Sequence, residues 1–277
     1  YRLLEFRWAV IGGALIAVSP GLASFSNLLL AHHPTMMALA IFLWAFLRFM
    51  DHYRVRDAVV AGVALSLAML GRPMTAAGFA LPFGIWLVAT MIRQLVMRNP
   101  ELSPTWSPAR VLAGFGIPLL LGFGVLASMN HAITGSWLKS AYQLYTETWT
   151  PRHRYGFDNA NLDPALPESR VLQAYDQWAE NLTIGKAKSN VAQRTLFSLR
   201  WTLGIAALTF CIIAALPSCF DLRDLRPLLL LCSVVTLHAV HVPYWYDGIM
   251  HWHYVFETAP LLIMLATFGV RAASLVM

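Results

Sequence analysis

Residues 110–129 read RVLAGFGIPLLLGFGVLASM, and residues 130–158 read NHAITGSWLKSAYQLYTETWTPRHRYGFD. The first half is apolar and about as long as a helix must be to cross a hydrocarbon core, roughly 20 residues. The second half changes character at once, with Asn, Thr, Lys, Arg and His set among Tyr and Trp. Outward from that boundary the apolar pattern recurs, at 8–30, 34–50, 57–71 and 74–92 before it and at 201–217, 227–243 and 254–274 after it. The chain is 58% hydrophobic and 12% charged, with the charges gathered between the apolar runs. A water-soluble protein would alternate apolar and polar residues within each element. The expected fold class is therefore an all-α, polytopic transmembrane helix bundle of about eight spans with one lobe outside the membrane. Three parts follow: spans over 1–129, a lobe over 130–200, and further spans over 201–277. The run at 57–71 is the weakest, being short for a crossing.

Orientation follows from the basic residues of short loops, which favour the cytoplasmic side. Arg48, Arg54, Arg56, Arg93, Arg98, Arg110, Arg223 and Arg226 lie on one side, whereas the short loops of the other side hold Arg72 alone. Both termini are expected inside and the lobe outside. The formal charge of +6 is then mostly positive-inside arginine, with no dense basic run to track phosphates, so no nucleic-acid partner is expected. Cys211, Cys219 and Cys232 lie in or beside apolar runs and imply no disulfide framework. The chain opens on Tyr1, close to a full span and without a recognisable signal peptide, which is expected of a stretch from a longer polytopic protein.

Ser19-Pro20-Gly21 should break the first span, and Pro34 should start the second helix. Pro100, Pro104 and Pro108 mark an inner linker over 93–109. In the lobe, 166–196 has the spacing of one or two amphipathic helices through Val171, Leu172, Tyr175, Trp178 and Leu182. Asn181-Leu182-Thr183 fits a glycosylation sequon, a short pattern of little weight.

Several polar residues converge on the lobe side. Arg72, in Gly71-Arg72-Pro73, is costly between two apolar runs unless it snorkels or is paired. A guanidinium clamps a phosphate with two parallel bonds, so a lipid phosphate is a natural partner for it. Glu257 lies one turn into the last run and should face the bundle interior, towards Arg72 or a histidine. His33, His253 and Asp247 share this face, and Asp247 and Glu257 are the candidate catalytic carboxylates. Tyr142, Tyr145, Arg152, His153, Tyr155, Asp158 and Tyr246 combine aromatic planes with charged groups, a mixture suited to stacking on sugar rings and bonding hydroxyls. An interfacial aromatic belt is the plainer explanation of the same residues.

These residues also carry a family likeness. Ser19-Pro20 and His33-Pro34, Gly71-Arg72-Pro73, Asn130 with Thr134-Gly135-Ser136, Tyr142 and Tyr145, Tyr155-Gly156-Phe157, and His253-Tyr254-Val255-Phe256-Glu257 with Pro260 resemble the polytopic GT-C glycosyltransferases that use lipid-phosphate sugars. Relatives in that group include protein O-mannosyltransferases and the bacterial aminoarabinose transferase. The resemblance implies an inverting transfer from a polyprenyl-phosphate-linked sugar, in a bacterial inner membrane, with membrane lipid around the site. It implies that Arg72, His33 and His253 face the lipid phosphate. It also implies a principal acid in a first outer loop, which would lie upstream of Tyr1. The family often has Arg where this chain has His253, a departure at the phosphate site. No cofactor is expected, no metal site is assigned, and a divalent ion is left open.

Two other readings remain. A lipid or solute transporter or flippase would also break helices and bury polar groups, although no repeated half is visible. A metal or haem membrane protein would use His238, His241, His251 and His253, the first two on one helical face.

Overall fold

The computed structural model describes residues 4–26, 31–97, 107–153, 155–160, 163, 165–166, 181–244 and 251–275. The chain is an all-α bundle. Its helices are α1 (Phe6–Ala17), α2 (Pro20–Ser26), α3 (His32–His52), α4 (Val55–Gly71), α5 (Pro73–Met97), α6 (Pro108–Thr134), α7 (Ala141–Trp149), α8 (Ile184–Thr202), α9 (Ile205–Cys219), α10 (Arg226–Val240) and α11 (Ala259–Ser274). A 3-10 turn over His253–Thr258 leads into α11.

Among the described residues four segments are long and apolar enough to cross a membrane, His32–His52, Pro73–Gln94, Pro108–Thr134 and His253–Ser274, and the bent pair Ile184–Thr202 and Ile205–Cys219 would make a fifth if it is one span. Helix α4, at 17 residues, spans about 25 Å at 1.5 Å per residue, short of a core about 30 Å thick. The expected first span is broken where Ser19-Pro20 falls, α1 ending at Ala17 and α2 starting at Pro20. Pro34, expected to start the second helix, lies in the first turn of α3, which begins at His32; Pro73 opens α5 and Pro108, expected in the linker, opens α6, where a missing N–H costs nothing. Pro118 lies inside α6, and the Ser66 hydroxyl of α4 donates to its carbonyl at 2.7 Å. Neighbouring hydroxyls of this kind are what make proline tolerable within a span.

The expected span at 201–217 differs in its start. Helices α8 and α9 meet at 98°, with Gly204 between them at φ 92°, a value that an L side chain resists. Helix α8 therefore lies across the end of the bundle. Beside Ala187 it buries Asn190, Arg194, Ser198 and Thr202, a polar stripe at a spacing of four. Ile184 and Leu196 of the same helix are exposed. The part of the anticipated lobe helices over 167–180 lies outside the described residues, and Leu182 precedes α8 as a fully buried side chain.

Aromatic packing fills the core between α3, α5 and α6. Phe42 and Phe46 meet Phe79, Phe83 and Phe115 with ring centroids 5.1–6.2 Å apart, mostly edge to face. Helix α6 turns Leu112, Leu120, Leu121 and Phe123 outward, the surface expected of a helix standing against lipid. In the lobe, Ser140 caps α7, its hydroxyl accepting from the Gln143 N–H at 3.0 Å. The backbone N–H of Gly156 donates to Pro243 O at 3.2 Å, so the lobe rests on the chain that follows α10.

Candidate active site

At the lobe-side end of the bundle, the α4–α5 turn, the start of α3 and the 3-10 turn before α11 meet. Arg72 caps α4, its own N–H donating to Ala68 O at 2.9 Å. Its Nη1 lies 3.3 Å from Glu257 Oε1 and 3.4 Å from the His253 carbonyl oxygen. His32 Nδ1 is 2.9 Å from the same carboxylate oxygen. Arg72 Nη1 also lies against the His32 ring, 2.7 Å from Nε2. Arg72 Nη1 touches Nδ1 as well, so Arg72 and Glu257 meet the His32 ring at the same nitrogen. His32 and Glu257 are 2% and 1% exposed. The buried carboxylate is thus held by a guanidinium and an imidazole, as a charge at this depth requires.

The arginine keeps part of its fork open. Among the described residues every side-chain contact of Arg72 uses Nη1, while Nε and Nη2 meet no acceptor. Its side chain is 14% exposed. Two coplanar N–H groups left over from a buried pair are suited to one more anion with two oxygens.

Rings surround this cluster. His253 meets His32 at 4.6 Å and Tyr254 at 5.0 Å between centroids. Tyr254 packs on Tyr244 at 4.5 Å, and Tyr244 on Tyr155 of the lobe at 5.1 Å. Tyr142 of α7 is hydrogen-bonded to the side chain of Tyr254. Burial, with Tyr142 and Tyr155 nearby, pushes the Tyr244 phenol up to about 12, so it stays a neutral donor. Beneath lies Arg194 of α8, which donates to His241 O at 2.6 Å and Tyr244 O at 3.0 Å and stands 5.5 Å from the Tyr254 ring centre. At 1% exposure it ties the lobe helix to the chain that carries the tyrosines.

The expected residues divide accordingly. Arg72, His253 and Glu257 come together, and Tyr142 and Tyr155 reach the same cluster. Tyr145 is half exposed beside Trp149. His33 stands one position from the cluster, its ring 5.5 Å from Phe256; His32 occupies the place expected for it. Arg152 donates to Leu166 O at 3.1 Å, and His153 is 1% exposed in a backbone bridge with Ala160. Asp158, at φ 48°, accepts from the Asn181 side chain at 3.4 Å and donates its N–H to Leu182 O. These three brace the lobe. Tyr246 and Asp247 lie outside the described residues.

His32 was nonetheless legible. The buried face of α3 runs His32, Thr35, Leu39, Phe42 and Phe46, so continuing that stripe backward reaches His32 and leaves His33 about 100° away. Arg194 had its own signal in the four-residue spacing from Asn190 to Thr202, hidden because the stripe is polar. The proposed histidine metal site does not assemble. His238 and His241 each bond a carbonyl of their own helix, Val234 O and Leu237 O, and among the described residues no group of three His, Cys, Asp or Glu side chains is arranged to hold a metal ion.

No curated protein and no solved structure matches the chain. Residues 1–103, which carry α1 to α5 with His32 and Arg72, match the model of the dolichyl-phosphate-mannose-protein mannosyltransferase family, and this match supports a GT-C-type membrane glycosyltransferase.

Proposed function

We propose that this chain acts as a membrane enzyme that moves a sugar from a polyprenyl-phosphate donor to an acceptor on the outer membrane face, with inversion at the anomeric carbon. The observation that carries the reading is the open edge of Arg72, two unengaged N–H groups on an arginine already anchored by Glu257 and His32. In such a transfer the acceptor oxygen attacks the anomeric carbon while the bond to the phosphate oxygen breaks. Negative charge grows on the departing phosphate. A fixed guanidinium stabilises that charge more in the transition state than in the bound donor, which is what accelerates the step. Tyr142, Tyr155 and Tyr244 supply flat faces and neutral donors for the sugar. On this reading the acceptor hydroxyl gives its proton to a carboxylate base, the lobe faces outward and both termini inward, and the membrane is a bacterial inner membrane.

The test is reconstitution of the full-length protein with a polyprenyl-phosphate sugar and measurement of polyprenyl phosphate released. Arg72→Lys keeps the charge but loses the planar fork, and should lower kcat/KM for the donor by about tenfold or more, ~1.4 kcal/mol. The product's anomeric configuration, read by NMR, should be opposite to the donor's. Unchanged donor kinetics in Arg72→Lys and Arg72→Ala would reject the phosphate assignment.

A further inference from the structure

A cavity of about 320 Å³ runs between α1, α3 and α11, walled by side chains such as Trp8, Ile16, Leu43 and Met264. Gly13, Ala40 and Trp44 on its rim are exposed, so it opens sideways, where lipid stands against the bundle. Its wall holds one ionisable side chain, Glu257. Arg72, His32 and His253 do not line it. Glu257 Oε1 is taken by Arg72 and His32, whereas Oε2 is buried and, among the described residues, meets no donor. An unpartnered buried carboxylate oxygen beside an apolar cavity calls for a hydrogen-bond donor from whatever enters.

We infer that this groove is a second lipid site, taking an amphiphile whose chain lies along α1, α3 and α11 and whose hydroxyl head donates to Glu257 Oε2. The charge on the wall selects the head. A phosphate here would face a carboxylate and, among the described residues, find no cation in the wall, Arg72 lying outside it; a hydroxyl satisfies the orphaned oxygen and adds no charge. The groove is thereby distinct from the phosphate position at Arg72. On the function proposed above, this amphiphile is the acceptor, a membrane lipid bearing a free hydroxyl.

The site is tested by photolabelling of the full-length protein in nanodiscs with a long-chain alcohol carrying a mid-chain diazirine. The same chain as a monoalkyl phosphate and as a plain alkane serve as comparisons. Labelling by the alcohol should map to the groove wall and exceed that by the phosphate by about tenfold. Gly13→Leu should abolish it by filling the groove, since a Cβ at Gly13 meets nothing within 4 Å and the helix packing is left intact. Glu257→Gln, if it folds, should narrow the preference for alcohol over phosphate. Equal or stronger labelling by the phosphate would overturn the inference and give the groove to the donor's chain. Labelling no greater than the alkane's would overturn it too, as when another segment of the protein fills the groove. The readout is binding, so a protein without transfer activity that still prefers the alcohol refutes the proposed function and not the site.

Discussion

Arg72 and Glu257 meet at 3.3 Å although one caps α4 and the other precedes α11, and the histidine at the start of α3 bonds the same carboxylate oxygen. Three segments are thus locked together by one buried charge. Arg72→Ala would leave that carboxylate without its cation, a loss of about 3–5 kcal/mol. The double variant Arg72→Ala with Glu257→Gln removes both charges and should recover most of the stability while leaving donor use impaired. Thermal unfolding in detergent beside donor kinetics separates the two roles. A double variant no more stable than Arg72→Ala would mean the pair is not what holds these segments.

The topology gives a second expectation. Gln143 of α7 and Arg93 of α5 are both exposed, and the lobe end of the bundle lies opposite the far end of α5. With the native cysteines replaced, Gln143→Cys should react with an impermeant thiol reagent from outside and Arg93→Cys only after permeabilisation. Reaction of both from the same side would refute the placement of the lobe.

The helical class was plain in the sequence because lipid leaves backbone groups no partner outside the segment, so each span must be written as an apolar run. The break at Ser19-Pro20 was plain for the same reason. The turn between α8 and α9 was not, since a run beginning at Trp201 reads equally well with or without a 98° bend, and only Gly204 hints at it. Arg72 and Glu257 stood out as charges among apolar residues, but the choice between His32 and His33 depended on helix phase. Arg152, His153 and Asp158 have the chemistry of a sugar site and are used to brace the lobe. Residue type alone does not distinguish those uses, because a buried bond to a carbonyl and a bond to a hydroxyl ask for the same side chains.

Gly21 makes room for Trp252, a fully buried ring packed edge to face against Phe25 and Phe256. A Cβ at Gly21 would run into the Trp252 ring and stand 2.7 Å from Trp201 O. Gly21→Ala should therefore cost about 1–3 kcal/mol, the usual range for overpacking. Adding Trp252→Leu relieves the ring contact but not the carbonyl, so stability should return only in part. Gly21→Ala with an unchanged melting temperature would refute the close approach of α2 to the cluster.

Tyr244 titrates near 12 because burial, and then the neighbouring Tyr142 and Tyr155, disfavour its phenolate. An unfolded tyrosine titrates near 10. The folded state holds the proton more tightly, so this contribution is fully present below about pH 10 and is lost as pH rises through about 12. Lobe docking, followed by protease protection, should weaken over that window. Tyr244→Phe should flatten the change, and an identical alkaline limb in the variant would refute this origin.

Arg194 is the residue on which the tyrosine cluster rests. It is buried at 1% exposure and donates to the carbonyls of His241 and Tyr244, the first of which also accepts from the Tyr244 N–H at 3.1 Å. Arg194→Met fills similar volume but loses both charged bonds, although His241 O keeps the Tyr244 N–H, a loss of about 2–4 kcal/mol. Arg194→Lys keeps the charge yet lacks a fork to reach two carbonyls at once, so it should fall between. If the arginine holds the chain from His241 to Tyr254 in place, both variants should speed proteolytic nicking in 241–254 before global unfolding begins. They should also lower kcat more than they raise the donor KM, because the rings that meet the sugar lose their fixed positions while Arg72 keeps its anchor. Wild-type resistance to nicking in Arg194→Met would show that α8 does not support the site.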